Sequence, residues 1–223
     1  MARFDRLTVY QRAIESGVIP LFDHADPSIA RQVAWSVARG GASFLEFRNR
    51  GDQALRVFAD LNDYITQAGL PLILGAGTIL DAPTAALYIA HGANFIVCPN
   101  LNPEIIRLCN RRKIACIPGC ATPSEISAAE ELGAEIVKIF PGDSIGGPNF
   151  VKAVLGPMPW SKLMPTGGVE PTFESVTAWI KAGAACLGMG SRFISKDVIA
   201  AGAFDVLEQR SRDVHAWVQQ ARG

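Results

Sequence analysis

One unit recurs four times along the chain: "GGASFLEF" (40–47), "HGANFIVCP" (91–99), "LGAEIVKIF" (132–140) and "AGAACLGMG" (182–190). In each, Gly-Ala and one further residue lead into an apolar run. Each also closes a segment of helical period: "SIARQVAWSVARG", "APTAALYIAHG", "PSEISAAEELG" and "FESVTAWIKAG". Glycine just past a helix takes the left-handed C′ position without a Cβ penalty. The unit therefore reads as helix, glycine stop, buried strand. Four further apolar runs, "GVIPLF", "LPLILG", "IACIPG" and "LMPTGG", lie between the repeats. Their flanks "DQALRVFADLNDYITQAG" and "NPEIIRLCNRRK" are again amphipathic at helical period.

Together these give eight strands beginning near residues 18, 44, 72, 95, 115, 136, 163 and 186. Spacings of 20 to 28 residues leave room for one strand, one helix and two short loops. Strands alternating with helices predict a parallel sheet covered on both faces. Eight such units in about 200–250 residues predict an α/β fold of the (β/α)8 TIM-barrel kind. The stretch "FDRLTVYQRAIESG" predicts an extra N-terminal helix, within residues 1–16, that closes the barrel bottom. A doubly wound open sheet is the alternative, but it calls for G-x-G-x-x-G after an early strand, and "GAGTIL" matches poorly. No linker, low-complexity tract or charge block interrupts residues 1–223, so a single barrel domain is expected.

Charge and cysteine content narrow the function classes. Lys+Arg and Asp+Glu both number 21, so the electrostatic footprint of a general nucleic-acid binder is missing. No apolar run approaches the ~20 residues of a membrane span. The N-terminus "MARFDRLTVYQRAIESG" is charged throughout, unlike a signal peptide. A cytoplasmic protein without nucleic-acid or membrane partners is expected. The five cysteines are odd in number, form no C-x-x-C and have no histidine nearby in sequence. They read as buried free thiols, although Cys116 and Cys120 could in principle join a metal site. No metal and no cofactor are expected.

In "EIVKIFPGD" (135–143) a lysine interrupts an apolar strand. If Val137 and Ile139 face the helices, Ile136, Lys138 and Phe140 face inward, with Lys138 near the C-terminal end of the strand, where barrels carry chemistry. A lysine there could snorkel to a rim or pair with a carboxylate. Desolvation, however, lowers its pKa and suits it to attack carbonyls as a Schiff-base nucleophile. In "FLEFRNRG" the same alternation puts Phe44, Glu46 and Arg48 on one face, with Arg50 just beyond at the same parity. Glu46 could form a buried ion pair with Lys138, a weak stabiliser, or act as a general acid–base. Arg50 suits a bidentate clamp on a carboxylate. "LGAGT" (74–78) allows close backbone approach and offers the Thr78 hydroxyl. "PTGGV" (165–169) and "GMGS" (188–191) end strands 7 and 8, where such barrels often bind phosphate.

"EIVKIFPGD", "FLEFRNRG", "LILGAGT", "FIVCPN", "IPGCATPSE", "MPTGGV" and "LGMGS" together resemble the 2-keto-3-deoxy-6-phosphogluconate (KDPG) / 2-keto-4-hydroxyglutarate (KHG) aldolase family, in order from about residue 17 to 194. The resemblance implies a metal-independent class I aldolase, typically a homotrimer, that cleaves a 2-keto-4-hydroxy acid into pyruvate and an aldehyde. It implies Lys138 as the Schiff-base lysine and Glu46 as the acid–base carboxylate. It places Arg50 and Thr78 on the pyruvyl carboxylate, and Pro99 and Phe140 in the site wall. Thr166, Gly167, Gly168, Gly190 and Ser191 would surround the distal phosphate. The chain departs from the family pattern at Arg48, where threonine is expected. That arginine could lower the lysine pKa, bind a further anionic group of the substrate, or make the site unproductive. Cys98, Asn100 and Gly142-Asp143 also depart, so the identity of the aldehyde stays open. A barrel isomerase or epimerase acting on a sugar phosphate, and a ligand-binding barrel without turnover, are the competing readings.

Overall fold

The computed structural model describes residues 2–223. The expected N-terminal helix is α1 (Arg6–Ser16); the part of that expectation falling on Met1 lies outside the described residues. Strands and helices then alternate: β1 (Val18–Phe22), α2 (Pro27–Arg39), β2 (Phe44–Arg48), α3 (Ala54–Gln67), β3 (Ile73–Gly77), α4 (Ala82–Ala90), β4 (Phe95–Val97) and α5 (Pro103–Arg112). The second half continues with β5 (Ala115–Ile117), β6 (Gly119–Cys120), α6 (Pro123–Glu131), β7 (Val137–Ile139), α7 (Pro148–Leu155), β8 (Leu163–Pro165), α8 (Phe173–Lys181) and β9 (Leu187–Met189). Two helices, α9 (Lys196–Ala200) and α10 (Phe204–Arg222), end the chain.

The glycines of the recurring unit all take up the conformation that the sequence required. Gly41, Gly92, Gly133 and Gly183 have φ of 90°, 97°, 91° and 103°. The alanine after each is buried, at 1%, 0%, 6% and 6% exposure, because the chain turns there from helix into sheet with no room for a larger side chain. At the other end of the helices, an oxygen-bearing side chain caps the exposed N–H groups: Asp26, Asp81, Asn102 and Thr122 each accept backbone hydrogen bonds, with proline in the first turn. The order of strand, cap, helix and glycine stop is thus written locally.

All strand pairs are parallel. A curled six-stranded sheet runs β5-β4-β3-β2-β1-β9, and a three-stranded sheet runs β6-β7-β8. The fifth expected strand is divided at Pro118, which lacks the N–H needed to continue the ladder; β5 pairs with β4, and β6 with β7. On the other side, Thr166 forms a single parallel bridge with Gly188, linking the end of β8 to β9. Inward and outward residues sort into two apolar layers. Leu45, Phe47, Val137 and Ile139 pack with the helices. Phe44, Ile73, Phe95 and Ile136 pack inside with Val9, Tyr10 and Ala13 of α1, which covers the N-terminal ends of the strands. Tyr10 fixes that helix by donating to the Cys116 carbonyl at 3.1 Å and accepting from its N–H at 2.9 Å. Among the described residues, no helix is long and apolar enough to cross a membrane.

Candidate active site

At the C-terminal ends of the strands lies a cavity of about 210 Å³. It gathers side chains and backbone far apart in sequence: Arg48 and Arg50 from β2 and its loop, Thr78 after β3, Pro99 after β4, and Lys138 and Phe140 from β7. Thr166, Gly167 and Gly168 after β8, and Gly190 and Ser191 after β9, complete the wall. Glu46 stands beneath this lining, 1% exposed. The alternation read from sequence therefore brings the twelve expected site residues to one place. Leu21, Val169, Gly188 and Arg192 also line the cavity; Val169 and Gly188 belong to the stretches "PTGGV" and "GMGS" marked from sequence, whereas Leu21 and Arg192 were not expected. Leu21 was within reach of the same reasoning, since it shares inward parity with Ile19 on β1; Arg192 gave no such signal. A larger cavity, about 630 Å³, lies beside residues 2–6 and Arg112–Ile114. Two of its three arginines are already engaged, Arg6 on Asn110 and Arg3 on the Leu72 carbonyl.

Lys138 is 6% exposed. Among the described residues neither it nor Glu46 takes part in a salt bridge, so the two do not form the buried ion pair weighed from sequence. Burial pulls the Lys138 amine below its usual range; Glu46 pushes it back up, while Arg48 and Arg50 lower it further. Its Nζ lies 4.8 Å from the centre of the Phe140 ring. Burial likewise raises the Glu46 carboxyl, against the pull of Lys138, Arg48 and Arg50. An amine and a carboxyl whose charged forms are both disfavoured are suited to exchange protons with a bound molecule.

The backbone around Glu46 is built to admit it. Its Oε2 is buried without a hydrogen-bond partner. A Cβ on Gly77, the cross-strand partner of Arg48, would overlap the Glu46 carboxylate. Gly77→Ala should therefore cost about 1–3 kcal/mol of stability through overpacking and lower kcat at least about tenfold by displacing the carboxyl. Denaturant melts and a turnover assay check both effects, and normal turnover would detach Glu46 from the chemistry. Thr78, next in the chain, has φ 58°, a conformation rare for a β-branched residue. Its strained backbone sits at the cavity wall.

The glycine loops are equally constrained. Gly167 and Gly168 have φ of 90° and 72°, and a side chain at Gly168 would collide with Asp143. Gly119 has no room for a Cβ against the Pro99 backbone, which brings the loop after β4 to the cavity. The Thr166 hydroxyl is buried and unpartnered. All five cysteines are free and buried. Among the described residues no three His, Cys, Asp or Glu side chains gather as a metal site.

A parallel α/β scaffold carrying a desolvated lysine and a neighbouring carboxyl in a strand-end cavity defines an enzyme that activates carbonyl compounds through an amine. The chain belongs to the KDPG and KHG aldolase family, whose pattern it matches over residues 9–210, and it is accordingly a lyase that makes and breaks carbon–carbon bonds. It is 30% identical to the 2-dehydro-3-deoxy-phosphogluconate aldolase of Haemophilus influenzae over 208 residues, 92% of this chain and 94% of that one. It is 28% identical to the KHG/KDPG aldolase of Escherichia coli over 88% of this chain and 87% of the relative. Among solved structures it is similar to the KDPG aldolase of Legionella pneumophila, in which pyruvate was captured at low pH as a covalent carbinolamine. There the TM-score is 0.81 at 26% identity, over 89% of this chain and 93% of the other.

Proposed function

We propose that this aldolase cleaves a 2-keto-4-hydroxy acid, a 2-keto-3-deoxy-6-phospho-sugar acid or 4-hydroxy-2-oxoglutarate, into pyruvate and an aldehyde through an imine on Lys138. The observation that carries this reading is the buried lysine, in no ion pair among the described residues, lining the cavity. The relatives named for both substrates support it. Neutral Lys138 adds to the C2 ketone, and loss of water gives an iminium. Glu46, directly or through a water, takes the proton of the C4 hydroxyl. The C3–C4 electron pair flows into the iminium, releasing the aldehyde and leaving an enamine. Glu46 returns a proton to C3, and hydrolysis of the iminium frees pyruvate and the amine. The iminium is the electron sink, so the scheme needs neither metal nor cofactor.

Arg50 and Thr78 hold the keto-acid carboxylate, Pro99 and Phe140 pack against the pyruvyl portion, and the backbone at Thr166–Gly168 and Gly190–Ser191 receives the distal anion. The chain link through Pro118 and the Thr166–Gly188 bridge support reading the two sheets as one (β/α)8 barrel with α1 as its floor, and the sequence as a single domain. The assembly is a homotrimer working in the cytoplasm.

Pyruvate with borohydride should label the enzyme irreversibly, with the adduct on the peptide containing "IVKIFPG" by mass spectrometry. A sugar-phosphate isomerase or a binding protein without turnover would give no label. A label on another lysine would refute the assignment.

A further inference from the structure

The scheme above leaves Arg48 without a part. Its side chain is largely buried, at 17% exposure, and Nη2 pairs with Asp23, which follows β1. It lines the cavity that holds Lys138 and also a second cavity, of about 420 Å³, bounded by His24, Ile194 and Lys196. With Ser191, the guanidinium forms the partition between the two.

Strand order gives that partition a direction. β1 lies between β2 and β9. From β2, Arg48 reaches across β1 and brings Nη1 to 3.9 Å from where a Cβ on Gly190 would stand. Leu21 Cδ1 lies 3.0 Å from the same point, so a side chain there would crowd the end of Leu21. Thr78 follows β3, on the other side of β2. The guanidinium thus occupies the side toward Gly190 and Ser191, away from Thr78. Its Nε–H is buried and has no hydrogen-bond partner among the described residues. Asp23 fixes the group and leaves that donor for an acceptor that the protein does not supply.

We propose that Arg48 is a specificity-determining residue for the aldehyde half of the reaction, donating to an oxygen on the carbon next to the aldehyde carbonyl. The proposal rests on the aldolase reading and specifies what it leaves open. Two acceptors carry that oxygen: a 2-oxo acid such as glyoxylate, through its carboxylate, and a 2-hydroxyaldehyde phosphate, through its hydroxyl. An aldehyde without it leaves the donor unpaired.

The test runs in the condensation direction, with pyruvate and three acceptors: glyoxylate, glyceraldehyde 3-phosphate and propanal. Arg48→Met keeps the length of the apolar stem but removes every N–H. Its kcat/KM should fall about ten- to a hundredfold for an oxygen-bearing acceptor, with a loss at least about tenfold smaller for propanal. The acceptor with the larger loss identifies carboxylate or hydroxyl as the group bound. Equal losses for all three acceptors, or no loss, would overturn the proposal. Borohydride trapping of pyruvate on the variant reports folding and imine chemistry independently of the aldehyde. If wild-type protein fails to trap, the aldolase reading falls instead. If only Arg48→Met fails to trap, the same comparison is made with Asp23→Asn/Arg48→Met, which removes the orphaned carboxylate.

Discussion

Lys138→Met should give a folded protein that no longer traps pyruvate, cleaves substrate at least about 10⁴-fold more slowly, and melts higher than wild type at neutral pH. The stability gain follows from the amine's position. Its folded pKa is lowered from 10.5, chiefly by burial, so the unfolded chain binds a proton that the folded chain resists. In wild type that cost is absent above 10.5 and grows as pH falls toward the folded value; below it the cost is complete. Methionine removes the cost and preserves packing volume. The difference in Tm should be at least about 2 °C at neutral pH, the scale of roughly 1 kcal/mol in a domain of this size, and should shrink toward pH 10.5. Thermal melts across pH, beside turnover, check both halves. A Lys138→Met protein that is less stable at every pH would mark the lysine as a structural partner.

Glu46→Gln should lower kcat by about 10²–10⁴-fold, the range of a general acid–base group, while pyruvate still traps on Lys138. The amide retains shape and hydrogen-bonding capacity but cannot carry the proton between C4 oxygen and C3. Burial raises the wild-type carboxyl above 4.5, so the acidic limb of kcat should lie above that value and vanish in the variant. The profile of kcat/KM reports the free enzyme, in which Lys138 has to lose its proton, and should keep its own acidic limb. Near-normal turnover, or a kcat profile unchanged by the substitution, would remove Glu46 from the proton path.

Strand positions and the inward set Glu46, Arg48 and Lys138 were legible in the sequence because both follow from local periodicity. A two-residue alternation fixes which side chains share a face, and a glycine that must take positive φ fixes where a helix stops. Pairing across the sheet is not local. Nothing near Pro118 announces that its missing N–H divides a strand between two sheets, and nothing near Arg48 announces Asp23, since they meet only when β1 and β2 lie side by side. The requirement for glycine at position 77 likewise comes from a carboxylate on the neighbouring strand. Arginine at position 48 was visible as an oddity; its direction, toward β9, needed the fold.

The Pro118 break and the Thr166–Gly188 bridge have a consequence for how the enzyme can drift over evolutionary time. Lys138 belongs to the three-stranded sheet and Glu46 to the six-stranded one. Backbone bonds cross between the two sheets at few places, from the Lys138 N–H to the Pro118 carbonyl at 2.8 Å and from the Ala185 N–H to the Leu163 carbonyl at 2.9 Å, and these set the gap between amine and carboxyl. That gap is governed where the two sheets abut, by residues that take no part in bond making. Substitutions at those junctions can widen or narrow the spacing while both reactive groups stay unchanged.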